Sequence, residues 1–204
     1  MEMSAMNQNI RIGALISGSG TNLQAIMDAC ESGQIRGRIV FIGSDNPDSE
    51  GLKRGEKFKI PSFVVDYGSI VRRFNKSPEK VKLPDDFDLN EILSKQHLFP
   101  ADADKEKTKA FFTTRAIAEA TLLDKMKNYP FDLLVLAGFM RNLTPYFIDR
   151  VNMVPNDPKI MNIHPALLPA FPGIDGYGDT FRYGCKIGGC TVHFVDYGED
   201  SGPI

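Results

Sequence analysis

Cysteine is scarce in this chain of 204 residues. Cys30, Cys185 and Cys190 are an odd number, and the C-x4-C pair lacks the C-x2-C doublets of a zinc site. Reduced thiols in a cytosol are the expectation. No apolar run approaches the ~20 residues that a membrane span needs. The start, MEMSAMNQNI, has neither a basic n-region nor an apolar h-region. A soluble, cytoplasmic protein with no membrane partner is expected. Lysine and arginine form no run, and a net charge of -2 leaves no electrostatic footprint for nucleic acid. Internal repeats and low-complexity segments are absent. What is there is ordinary globular composition, 42% hydrophobic and 25% charged, at a length that suits one domain, or one domain with an insertion, around a sizeable core.

Along the chain, IRIGALI (Ile10 to Ile16) is an apolar run stopped by SGSGTN, after which Leu23, Ile26, Met27 and Cys30 fall at helical spacing. Strand, glycine-rich turn and helix follow. Arg38 to Ile42 reads as a second strand, Gly51 to Lys59 as a helix and PSFVVDY as a third strand. This β-α-β-α-β order calls for an α/β fold with a parallel sheet and helices on both faces. From Gly68 to Lys109, with prolines at 78, 84 and 100, periodicity is weak, and the segment reads as an insertion with one short helix outside the catalytic core. Thr114 to Lys127 is an amphipathic helix, and Phe131 to Ala137 is a strand apolar enough for burial on both faces. A short helix over Pro145 to Val151 and strands over Lys159 to Ile163 and Gly189 to Val195 complete the reading.

Two segments carry chemistry. SGSGTN lies between a strand and a helix, where free amides and the helix dipole favour an anion. Gly18 and Gly20 permit close backbone approach, and Thr21 and Asn22 add side-chain donors. The loop lacks the Lys-Ser/Thr of a P-loop, and Leu23 stands where G-x-G-x-x-G needs its third glycine, so a plain tight turn with an N-cap is the alternative. The second segment is NIHPALLP, Asn162 to Pro169. Asn162 and His164 sit at i and i+2 of an extended stretch, on one side, and Pro165 biases His164 toward extended backbone. With Asp200, in a glycine-flanked loop, they make a base, an oxyanion donor and a carboxylate, a complete acyl-transfer set. No serine or cysteine sits in a nucleophile elbow, so direct transfer to an amine is more natural than an acyl-enzyme. His193, inside GCTVHFV, reads equally as structural or functional.

ISGSGTNLQAIMDAC, LAGFMRNLTP, MNIHPALLPAFPG and GCTVHFVDYGEDSGPI, in that order, resemble the phosphoribosylglycinamide formyltransferase family, the folate-dependent glycinamide ribonucleotide transformylases of purine synthesis. The blocks cover most of the chain outside 68–109. The formyltetrahydrofolate deformylases and methionyl-tRNA formyltransferases share the Asn-x-His and the distal aspartate, but SGSGTN, PAFPG and the short stretch before the first strand favour the transformylases. The resemblance implies a Rossmann-like sheet and 10-formyltetrahydrofolate as co-substrate, with no metal. It implies phosphate binding by Gly20, Thr21 and Asn22, and catalysis by Asn162, His164 and Asp200. It also implies folate contacts at Met140, Arg141, Leu143 and Val195. A monomer or homodimer taking glycinamide ribonucleotide and folate is the expected assembly.

The chain also departs from the family. After Pro172-Gly173 the family's histidine-containing segment is replaced by IDGYGDTFRYGCKIGG, and the 68–109 link is longer than usual. Where the chain ends at SGPI, the family continues with a further strand and a C-terminal helix, so a single formyltransferase domain without those elements is expected. A hydrolase using the same three residues on water to release formate, and a nucleotide-binding module that has lost catalysis, are the rival readings.

Overall fold

A computed structural model describes residues 9–204. The reading of residues 1–8 as free of a leader therefore lies outside the described residues. The described chain divides into two compact units, one of residues up to Asp66 with Asp124–Met140, the other of Tyr67–Leu123 with Arg141–Ile204.

The first unit is a parallel α/β layer. Strands β1 (Ile10–Ile16), β2 (Gly37–Ser44), β3 (Ser62–Val64) and β4 (Leu133–Leu136) lie in the order β3-β2-β1-β4, every neighbouring pair parallel. Helices α1 (Thr21–Glu31) and α2 (Gly51–Lys57) make the crossovers. Parallel strands covered on both faces need continuous apolar runs, and β1 supplies one in Ile12, Ala14, Leu15 and Ile16, all buried. Ala14, Ile16 and Ile42 pack with Leu23 and Met27 of α1, the residues that recur at helical spacing in the sequence. On β1, Gly13 leaves room for the Phe41 ring, which a Cβ there would meet at 2.3 Å. That ring in turn packs on Phe63, Tyr129 and Phe131, with centroids 5.5 to 5.9 Å away. At the strand's start Arg11 holds Asp132 through a 2.6 Å ion pair that ties β1 to the entry of β4.

The second unit contains helices α3 (Tyr67–Lys76), α4 (Leu89–Lys95), all but the last three residues of α5 (Lys105–Met126), α6 (Pro145–Val151) and α7 (Gly176–Arg182), with strands β5 (Ile160–His164) and β6 (Thr191–Phe194). β5 and β6 are antiparallel, with Asn162 opposite His193 and His164 opposite Thr191. Phe112 and Ala116 of α5, Ile92 of α4 and Tyr146 of α6 form the core, with Phe99, Phe111 and Phe112 meeting edge to face. The expectation of one short helix over 68–109 needs correction, since that stretch holds most of α3, a 3-10 turn at Pro78–Lys80, α4 and the start of α5. Tyr67, Ile70, Val71 and Phe74 do carry helical spacing, but the charges between them mask it. The Asp88 carboxylate caps α4 by accepting from the N–H groups of Asn90 and Glu91 at 2.8 and 3.1 Å. Asp104 does the same for α5 through Glu106 and Lys107, both at 3.1 Å, so this helix begins nine residues before the amphipathic stretch marks it. α7 lies where no helix is expected; it is short, and its tyrosine and phenylalanine are exposed.

Candidate active site

In the first unit, β1 delivers the chain into the glycine loop, and α2 braces it. Gly51 N–H and the Ser49 hydroxyl both donate to the Gly18 carbonyl, at 3.0 and 2.8 Å, and the Arg54 guanidinium donates to the Ser19 carbonyl at 2.9 Å. With these carbonyls engaged, the loop can present N–H groups elsewhere. Gly20 takes the N-cap position of α1 in left-handed backbone, φ +71°, and a Cβ there would come within 2.7 Å of the Gly51 Cα. Only glycine meets both conditions. No side chain caps α1. Thr21 and Asn22 are exposed on its first turn. Positive dipole and unfilled donors therefore converge where the sequence places an anion. Arg54 adds a cation beside the loop that sequence reasoning missed. Its position after the second strand gives no local signal.

In the second unit, β5 aims Asn162 and His164, and the loop after β6 brings Asp200 to them. The Asp200 carboxylate sits between two buried imidazoles, Oδ2 3.0 Å from Nδ1 of His164 and Oδ1 3.5 Å from Nε2 of His193. Gly173 N–H donates to the same Oδ2 at 2.9 Å. Asp200 reaches this place in left-handed backbone, φ +52°, which aspartate tolerates better than most residues. Its loop is held by Asp196, which accepts from Gly198 N–H at 3.1 Å and from the Ser201 hydroxyl at 2.7 Å. The three residues predicted as a set are thus brought together, joined by His193. That residue lies opposite Asn162, with Nε2 3.3 Å from the amide nitrogen. Alternation along β6 puts His193 on the same face as the buried Thr191, the one sequence signal that could have favoured it.

His164 is 3% exposed, and its Nε2 lies 2.6 Å from the carbonyl of Phe171 in the PAFPG turn. Both ring nitrogens therefore face oxygen acceptors, Asp200 on one side and Phe171 on the other. A ring carrying both protons satisfies both contacts. Thr191 fixes the intervening ALLP segment, its hydroxyl donating to the Ala166 carbonyl at 2.8 Å and accepting from Leu168 N–H at 2.9 Å. The Leu168–Pro169 peptide is cis.

The predicted folate residues fall in different settings. Met140 belongs to the first unit and is 65% exposed, while its N–H donates to the Ser17 hydroxyl at 2.8 Å. Leu143 is buried, and Val195 is half-buried with its N–H on the Ile160 carbonyl at 2.9 Å. Arg141 lines a cleft of about 510 Å³ in the second unit together with Tyr67, Arg72, Lys107, Phe111 and Arg115. The Arg115 guanidinium stands 4.8 Å from the Phe111 ring centre and 5.2 Å from that of Tyr67, and Arg141 is 5.8 Å from Tyr67. Four cations and two aromatic faces line the cleft, and the Lys107 ammonium lies 3.8 Å from the Asp104 carboxylate. Arg72, Lys107 and Arg115 lie in or beside the segment read as an insertion, so sequence reasoning did not reach them.

Among the described residues no helix is long and apolar enough to cross a membrane.

The chain is 33% identical over 194 residues to the phosphoribosylglycinamide formyltransferase of Haemophilus influenzae, covering 95% of this chain and 69% of that one. It is also 33% identical over 196 residues to the trifunctional purine biosynthetic protein adenosine-3 of Chironomus tentans, of which it spans 11%. The crystal structure of glycinamide ribonucleotide transformylase 1 from Symbiobacterium toebii superposes with a TM-score of 0.64 at 35% identity, over 96% of this chain and 70% of that one. The pattern of the formyl transferase family matches residues 10–204, from the first residue of β1 through the glycine loop, Asn162, His164 and Asp200, and the chain belongs to that family.

Proposed function

We propose that this chain transfers a formyl group from 10-formyltetrahydrofolate to the amine of glycinamide ribonucleotide in purine biosynthesis. The observation that carries the reading is the buried contact of Asp200 with His164, 3.0 Å, beside an amide donor two residues away on the same strand. In this reaction the substrate amine attacks the formyl carbon, a C–N bond forms, and the carbonyl oxygen becomes an oxyanion. Nδ2–H of Asn162 and Nε2–H of His164 are the donors that meet that charge as it develops. His164 makes its bond by exchanging the Phe171 carbonyl for the substrate oxygen. Collapse of the intermediate breaks the bond from the formyl carbon to N10 of the folate, which takes up the proton that the amine gives away. Asp200 holds the imidazolium in place and relays that proton through water.

The same reading gives the ribonucleotide phosphate to Gly20, Thr21 and Asn22, in keeping with the uncapped start of α1. It gives the folate to Met140, Arg141, Leu143 and Val195. The cationic, aromatic cleft around Arg115 and Arg141 supports an aromatic co-substrate that ends in carboxylates. The enzyme works in the cytoplasm, where its three thiols stay reduced.

The test is formyl transfer from 10-formyltetrahydrofolate, with and without glycinamide ribonucleotide. Acceptor-dependent transfer that is lost in Asn162→Ala and His164→Ala is the expected result. Release of formate at the same rate without acceptor would make the chain a hydrolase instead.

A further inference from the structure

The segment that sequence reasoning set aside as an insertion reaches the loop that carries Asp200. His97, just beyond α4, donates its N–H to the Tyr197 carbonyl at 2.9 Å. Tyr197 in turn donates its hydroxyl to Asp149 Oδ1 on α6 in a short hydrogen bond. The other oxygen of Asp149 takes the Lys95 ammonium at 2.7 Å, and Lys95 also holds Glu91 at 2.7 Å. One tyrosine is therefore gripped at both ends, backbone by His97 and side chain by an aspartate that Lys95 neutralises. Three residues later in the same loop stands Asp200.

We propose that Lys95, His97, Asp149 and Tyr197 form a positioning clamp that fixes the Asp196–Ser201 loop, and through it the Asp200 carboxylate, for formyl transfer. This rests on the reading of Asp200 given above. The physical need is clear from the loop itself, which has no helix or strand to hold it, while Asp200 must satisfy two imidazoles and a backbone N–H at once. A displacement of about 1 Å at such a residue is enough to cost up to about a hundredfold in rate. The hydrogen bond to Asp149, and after it burial, raises the Tyr197 hydroxyl's pKa, so it stays protonated and keeps donating. Apart from the Lys95 pair with Glu91, the bonds of the four clamp residues run to the loop and to one another, so the clamp acts on Asp200 through the loop.

The insertion has a second, separate anchor that serves as a control. Asp86 accepts from the Tyr146 hydroxyl at 2.9 Å and pairs with Arg150 at 2.7 Å, both on α6 and neither on the loop. Breaking this anchor loosens the insertion without releasing Tyr197.

The experiment compares Tyr197→Phe, Lys95→Met, Lys95→Arg and Arg150→Met in the full chain, by steady-state kinetics, thermal denaturation and NMR titration of the His164 ring. His164 faces Asp200, and His193 faces the other oxygen of that carboxylate, so both rings report on its position. Tyr197→Phe and Lys95→Met are expected to lower kcat about tenfold with KM for both substrates within about twofold. Lys95→Arg is expected to restore most of that loss. Both damaging variants should shift the His164 titration, whereas Arg150→Met should lower thermal stability and move neither kcat nor that titration. Unchanged kcat and titration in Tyr197→Phe, or equal losses in Arg150→Met, would overturn the clamp. If the wild-type chain transfers no formyl group, the reading of function fails, and the His164 titration still decides whether the clamp sets the Asp200 carboxylate.

Discussion

Asn162 and His193 stand opposite each other across the β5–β6 ladder, amide nitrogen to imidazole Nε2, at 3.3 Å. The other ring nitrogen of His193 lies 3.0 Å from the Phe194 carbonyl, and Nε2 faces both the Asn162 amide and, at 3.5 Å, Oδ1 of Asp200. One amide hydrogen is spent on His193, and the second is free to meet an oxyanion. His193 thus belongs to the site by orienting a donor, although it need not touch the substrate.

The corresponding prediction is a non-additive pair. Asn162→Ala removes an oxyanion donor and should lower kcat by about a hundredfold or more. His193→Ala leaves the amide free to rotate and should lower kcat by about tenfold, with KM nearly unchanged. If His193 works through Asn162, the double variant should be no slower than Asn162→Ala alone. Additive losses in kinetics of all three variants would show instead that His193 acts by another route.

Asp200→Asn keeps a residue that tolerates left-handed backbone and an oxygen that can accept from Gly173 N–H, but it removes the charge shared by His164 and His193. A charge-assisted hydrogen bond of this type is worth about 1.5–3 kcal/mol. The variant should therefore lose about ten- to a hundredfold in kcat while its melting temperature stays close to that of the wild type. Asp200→Ala should lose both rate and stability, because Gly173 N–H is then left without its partner. Equal melting temperatures for the two variants would show that the Gly173 contact contributes nothing to the fold.

The sequence and the structure agree best where one physical rule dominates. β1 and α6 run over Ile10–Ile16 and Pro145–Val151 as expected, because an uninterrupted apolar run and a proline at the first helical position are each decisive on their own. The set of Asn162, His164 and Asp200 was legible from residue type and spacing, although nothing local ties Asp200 to a strand 36 positions earlier. His193 could be placed only through the antiparallel register of β5 and β6. Lys95, Tyr197 and Asp149 were illegible, since each is a charged or polar residue in an ordinary surface context, and only the tertiary fold makes them one network. The helices of the inserted segment were hidden for a related reason: α3 buries only Tyr67 fully and wears its charges on the rest.

At Gly20 the prediction concerns shape rather than charge. Gly20→Ala places a Cβ in left-handed backbone and 2.7 Å from the Gly51 Cα, which is main chain and cannot swing away. Left-handed strain alone costs about 1–2 kcal/mol, and the clash adds to it. The loop should open, and affinity for a ribonucleotide phosphate should fall more than affinity for a folate. Thermal denaturation and binding titrations with each ligand separate the two effects. Equal weakening of both would mean that the loop does not serve the phosphate specifically.

Glu119 gives stability a pH dependence that can be signed in advance. It is fully buried in α5, where its carboxyl accepts Thr144 N–H at 2.9 Å and meets the Thr144 hydroxyl at 2.5 Å, just ahead of α6. Burial raises its pKa to about 8, against the smaller opposing effects of the Thr144 bonds and of Arg115 and Arg150. Because the folded value lies above the unfolded one, near 4.3, the neutral acid is the form the fold prefers. Its contribution is complete below pH ~4.3 and is lost as pH rises through about 8, at up to about 1.4 kcal/mol per pH unit. Glu119→Gln keeps an acceptor for Thr144 N–H and a donor for its hydroxyl while abolishing the titration. Chemical denaturation at pH 5 should find the two proteins within about 1 kcal/mol, and at pH 8 the glutamine variant should be the more stable. Glu119→Ala should be less stable at both, by about 1–3 kcal/mol, because it leaves a buried N–H unmet. Parallel pH profiles for wild type and Glu119→Gln would show that the carboxyl is already ionised in the folded protein across that range.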